Sequence, residues 1–165
     1  MFTGCNRSDP VADAGDAGGV PQLAYGTKVS FGLDGNSERF RESGWSKTEE
    51  KFTWSEGAAA TLRLRISPSD GPVTLKMVAT ALAREPEMPF QPVEVEGNGK
   101  KIADWQIGGD PVALTAAIPP ELTKAGGELT ITFKTPKATS PKALGINADP
   151  RVLGICVLNL ELSKG

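Results

Sequence analysis

The chain contains no histidine among its 165 residues. That absence removes the commonest metal ligand, the usual proton carrier near neutral pH and the usual partner of a serine or cysteine nucleophile. Catalysis would have to run on carboxylates, lysine, tyrosine or cysteine, and no nucleophile motif is recognisable, so the expectation is a non-enzyme. Cysteine is nearly as scarce. Cys5 lies in a Gly/Asp/Ala-rich segment and Cys156 in an apolar run, so the two have no zinc spacing and read as separate thiols. Neither sign of charge dominates: 18 basic against 20 acidic side chains give a net charge of -2. No overall basic field draws nucleic acid or anionic lipid. No apolar run approaches the ~20 residues of a membrane helix.

Glycine and proline are plentiful, 19 and 13 residues, and they punctuate short alternating runs as turns do. Val29, Phe31 and Leu33 alternate with small residues; Leu62, Leu64 and Ile66 alternate with Thr61, Arg63 and Arg65; Val73, Leu75 and Met77 repeat the pattern. Val93 and Val95 lead into Asn98-Gly99, a strong hairpin signal, and the returning run places Ala103, Trp105 and Ile107 on its more apolar side. Val112, Leu114 and Ile118 follow, then at most one helical turn near Pro120, then Leu129, Ile131 and Phe133. The last run, Ile155 to Leu162, aligns Cys156, Leu158, Leu160 and Leu162. Period-2 alternation of this kind predicts an all-β sandwich of roughly eight to ten antiparallel strands. Residues 23–165 form that domain, and residues 1–22, small and polar without apolar period, form a flexible tether.

Gly44-Trp45-Ser46, then Phe52-Thr53-Trp54-Ser55 with Gly57, the Val95-to-Lys100 hairpin with Trp105 after it, Ile118-Pro119, and Asp149-x-Arg151-x-Leu153-Gly154 together resemble bacterial jelly-roll domains. Those domains are similar to galactose-binding-like and carbohydrate-binding sandwiches, and they accompany membrane glycosyltransferases and other envelope polysaccharide enzymes. The resemblance implies a non-catalytic module that binds envelope polysaccharide; the competing reading is an interaction module that docks on an envelope protein with no sugar site. Phe2-Thr3-Gly4-Cys5 also resembles the end of a bacterial lipoprotein signal, which implies lipidation at Cys5 and a place in the periplasm or at the cell surface.

The candidate site residues follow from context. Trp54 is in phase with Phe52 and reads as core. Trp45, in a polar stretch without period, reads as an exposed ring able to stack on a sugar face. Asp149 and Arg151 stand two apart, either a clamp for a sugar hydroxyl or carboxylate, or a loop-fixing ion pair. Glu49 supplies polar help beside Trp45. Glu42, Glu49 and Glu50 do not establish the carboxylate separation of a glycosidase. No cofactor is expected; Asp34-Gly35-Asn36-Ser37-Glu38 holds oxygen donors that would suit a structural calcium, or simply a turn. Cys156 reads as an inert inward thiol.

Overall fold

A computed structural model describes residues 19–165; Cys5 and most of the expected tether lie outside the described residues. The named strands are β1 (Val29–Ser30), β2 (Arg41–Ser43), β3 (Thr53–Glu56), β4 (Ala59–Ile66), β5 (Val73–Ala81), β6 (Gln91–Gly97), β7 (Lys100–Ile107), β8 (Val112–Ile118), β9 (Gly127–Lys134) and β10 (Leu153–Lys164), with one helical turn, α1 (Pro120–Thr123), before β9. They form two five-stranded sheets. Sheet A runs β2-β4-β9-β6-β7, and sheet B runs β1-β10-β5-β8 with β3 also paired to β10. Every pairing between named strands is antiparallel. The β-sandwich read from the alternation is the fold.

Between the sheets the apolar sets interdigitate. Leu129, Ile131 and Phe133 of β9 are fully buried and pair in register with Leu64, Leu62 and Ala60 of β4. Leu75 and Met77 of β5, with Ile155, Val157, Leu160 and Leu162 of β10, close the core from sheet B. The β6–β7 turn is built by Asn98 and Gly99, at φ 49° and 82°, the left-handed pair that a two-residue hairpin of the primed kind requires. Before β1, Arg65 N–H donates to the Pro21 carbonyl and Leu23 N–H to the Arg65 carbonyl, so residues 21–23 run along β4.

Four expectations are corrected. In β10 the register slips between Val157 and Asn159. A bulge inserts one residue and moves the inward set by one, so Ile155 and Val157 face the core where Cys156 and Leu158 were expected. In β3 the buried residues are Thr53 and Ser55, both fully buried, while Phe52 and Trp54 point to the outer face. The hydroxyls go inward because each meets a backbone group at the sheet margin. Thr53 Oγ1 donates to the Phe31 carbonyl at 2.7 Å, and Ser55 Oγ accepts the Ile155 N–H at 2.9 Å. A buried polar group with a partner is stable where an unpaired one would not be. Leu33 is 66% exposed, because after Phe31 the chain leaves β10 and its amide turns to the Glu50 carbonyl. Val112, at the start of the edge strand β8, is also exposed.

Candidate functional site

The site grows from the hairpin that carries residues 44–56. Gly44 makes it possible: at φ +80°, a Cβ there would stand 1.9 Å from the Ala59 carbonyl, so only glycine fits. From that pivot Trp45 bridges to Ser55, Ser46 N–H donates to the Trp54 carbonyl, and Glu49 N–H donates to the Phe52 carbonyl. Alternation then puts Trp45 with Ser55 on the inner side, and Ser46 with Trp54 on the outer side.

The two tryptophans thus stand on the sides opposite to those expected. Trp45 packs on the core with its ring centroid 5.6 Å from Phe31 and 6.4 Å from Phe133, and its Nε1–H donates to the Thr61 carbonyl at 2.9 Å. A half-buried indole held on that side is a wedge closing the sandwich, and its remaining surface lines the depression beside Arg151. Trp54, expected in the core, stands half-buried on the outer face of sheet B, opposite Cys156 in the register.

The other three expected residues come together beside it. Arg151 holds Asp149 with a fork, Nε to Oδ1 and Oδ2 at 3.1 Å and Nη2 to Oδ2 at 2.7 Å, and Asp149 Oδ1 also accepts the Arg151 backbone N–H. Nη1 donates to Ser46 Oγ at 2.8 Å and lies 3.6 Å from Glu49 Oε2. The Arg151 hydrogen bonds, side chain before backbone, hold the Asp149 carboxyl below its ordinary value, and Asp149 in turn raises the guanidinium. This arrangement fixes the 149–151 loop to the outer side of the hairpin, since Ser46 shares that side with Trp54. An open depression of about 500 Å³ lies between Trp45, Glu56, Pro150 and Arg151.

Cys156 is buried under this outer surface. Burial pushes its thiol up to about 12, against a bond to Thr80 that acts the other way, and the charge of Glu49 raises it further. The thiol is inert, as expected, although it faces the side opposite to the one its sequence neighbours suggested. Glu42 is taken up by Arg63 on sheet A at 3.6 Å while Glu49 faces Arg151, so the acidic residues near Trp45 do not converge as a pair. In the Asp34–Glu38 segment, Asn36 Oδ1 accepts the Ser30 N–H at 3.0 Å, a turn-fixing contact. Among the described residues no three acidic or cysteine side chains are grouped to hold a metal ion.

No protein-family model and no curated protein matches the chain. Solved structures do. The CsCBM6-3 module from Clostridium stercorarium, in complex with cellobiose, superimposes with a TM-score of 0.54 at 10% identity, covering 90% of this chain and all of that one. The CBM36-1 domain of a multidomain xylanase from the hindgut metagenome of Trinervitermes trinervoides gives 0.53 at 12% identity, over 84% of this chain and 97% of that one. A family 6 carbohydrate-binding module gives 0.52 at 7% identity, over 87% and 98%. The chain has the jelly-roll fold of the carbohydrate-binding modules, at identities that speak for the fold alone.

Proposed function

We propose that the chain is a non-catalytic module that binds polysaccharide through the outer face of sheet B, with Trp54 as the stacking ring. The observation that carries this reading is the setting of Trp54, a half-buried indole facing outward on a rigid strand, whose hairpin neighbour Ser46 is held by the Arg151, Asp149 and Glu49 network. An aromatic ring contributes large contact area with little loss of conformational freedom, and a pyranose presents a flat face of C–H groups to it. Arg151 and Glu49 at the margin supply a donor and an acceptor for sugar hydroxyls, already oriented by each other. The likeness to a module in complex with cellobiose supports the same ligand class.

Affinity electrophoresis in soluble xylan, mixed β-glucan and isolated envelope polysaccharide tests it. Retardation by at least one polymer that Trp54→Ala abolishes, with the melting temperature nearly unchanged, is the expected outcome. Retardation that Trp54→Ala leaves intact would remove the proposed platform.

The envelope setting is a separate part of the proposal. Its support is Phe2-Thr3-Gly4-Cys5, whose likeness to the end of a lipoprotein signal implies a lipid anchor in the periplasm or at the cell surface. Expression of the full chain behind a secretion signal, with a labelled fatty-acid precursor, gives incorporation that Cys5→Ser removes; equal labelling of both would refute the anchor.

A further inference from the structure

Among the described arginines, Arg41 differs from the rest in its surroundings. Arg63, Arg65, Arg84 and Arg151 each have a carboxylate within 4.0 Å, and Arg39 is exposed to solvent. Arg41 is half-buried at the start of β2 with no such partner among the described residues. Its guanidinium meets only neutral oxygens, Nη1 on the Ser46 carbonyl at 3.3 Å and Nη2 on Thr48 Oγ1 at 2.6 Å, and its buried Nε has no acceptor. Burial pulls the guanidinium below its ordinary value, and the charge of Glu38 acts the other way. A partly desolvated cation without a counter-ion is costly unless something supplies the negative charge.

The space beside it is shaped to admit that charge. A depression of about 350 Å³ is lined by Arg41, Lys47, Thr48, Ser37, Glu38 and Leu33. Two close approaches of the chain build its wall: a Cβ on Gly32 would stand 2.5 Å from the Glu50 carbonyl, and one on Gly35 2.2 Å from the Ser30 carbonyl. Lys47 has no carboxylate within 4.0 Å among the described residues, so the pocket carries two cations against the single carboxylate of Glu38. Leu33 supplies an apolar lip. The volume suits a single sugar ring, not a long chain.

We propose that this pocket is a second subsite, for the anionic substituent of an acidic sugar, with Arg41 and Lys47 holding a carboxylate or sulfate ester and Leu33 lying under the ring. It rests on the carbohydrate-binding reading for the identity of the ligand, but not for its location, since its lining includes neither Trp54 nor Arg151, although Arg41 also holds the carbonyl of Ser46. The guanidinium offers its two remaining Nη protons and Lys47 a mobile point charge, while Thr48 and Ser37 hydroxyls border the same space.

The test is titration of the full chain with methyl glucuronoside, glucose 6-sulfate and methyl glucoside, followed by heteronuclear NMR. Shifts at Lys47, Thr48 and Leu33 with either anionic probe, and none with the neutral one, are expected. The choice between the two anions identifies the substituent. Lys47→Gln, at an exposed position, should weaken the anionic probe about tenfold, the scale of one hydrogen bond to a charged group, and Arg41→Gln at least as much. No shift with any probe at millimolar concentration, equal response to the neutral probe, or unchanged affinity in both variants would overturn the subsite. Trp54→Ala serves as the separate control, because it should leave the anionic titration intact. Retained polymer binding with no response here fails only the pocket, and the reverse fails only the Trp54 platform.

Discussion

The two outer faces of the sandwich are made by the same alternation and carry opposite chemistry. On sheet A the outward positions form paired charges: Arg63 with Glu128 at 3.0 Å, Lys134 with Glu96 at 2.8 Å and Lys101 with Asp104 at 2.6 Å, with Thr61, Thr130 and Thr132 between them. On sheet B the outward positions along the β3–β10–β5 seam begin with the apolar Phe52, Trp54, Leu158 and Val78 over the buried Cys156, and continue with Thr80, Asn159, Lys76 and Glu161. Face A is mostly paired charge, with Arg63, Lys134 and Lys101 each holding a carboxylate. Face B leaves apolar area beside an oriented ionic network, which is the combination a sugar ring can use. The difference shows that the chemistry of each outer face follows from the outward residues of its strands, once the phase of each strand is known.

That contrast can be broken by experiment. The largest effect should come from Trp45, which lies between the faces: Trp45→Ala is expected to lower the unfolding free energy by about 3 kcal/mol in urea denaturation, with Trp54→Ala costing much less. Equal losses would mean that the two rings do not divide stability from binding. Next, Trp54→Ala should weaken polysaccharide affinity about tenfold, or about 1.4 kcal/mol, measured by calorimetry on the best-retained polymer. On face A, Glu128→Ala removes a partner of both Arg63 and Arg65. It should cost less than about 1 kcal/mol, as exposed ion pairs do, and leave polysaccharide affinity unchanged. A loss of affinity there would move the binding surface to the other side of the molecule. The smallest effect concerns acid. Because the folded Asp149 carboxyl lies below its ordinary value of 3.8, the clamp is complete above that pH and is released as pH falls through the depressed value. The NMR signal of the Arg151 Nε proton should therefore hold its position down to about pH 4 and move only in stronger acid; movement at higher pH would mean that the fork is not formed in solution.

Much of the fold could be read from the residues because most strands keep strict alternation. Leu62 to Ile66, Val73 to Met77 and Leu129 to Phe133 point where their period says, and Asn98-Gly99 turns the chain as its chemistry demands. The failures have specific causes. A bulge at Leu158 is invisible in a run where nearly every residue is apolar, so either phase looks equally good. In β3 side-chain size points to one side and hydrogen bonding to the other, and hydrogen bonding decides: Thr53 and Ser55 each have a buried backbone partner. That signal was present as two hydroxyl residues in phase, but its meaning depended on partners 22 and 100 residues away. The same reversal hid Trp54. Asp149 and Arg151 form the ion pair that a carboxylate two residues from an arginine suggests, whereas Glu49 meets Arg151 only through the fold, and nothing local marks Ser46 as the anchor. Arg41 gave no sign, since its isolation is a property of what the fold does not place near it.

Trp105 joins the sheets in a further way. From β7 of sheet A its indole Nε1–H donates to the Thr115 carbonyl of β8, an edge strand of sheet B, at 3.0 Å. The Val112–Ile118 strand has no charged residue or proline, the guards that usually keep such margins from joining those of other molecules. A chain adding alongside β8 would have to displace that indole from its carbonyl, giving up a hydrogen bond and part of the core packing at once. A residue that packs the interior thus also occupies a carbonyl of the edge strand.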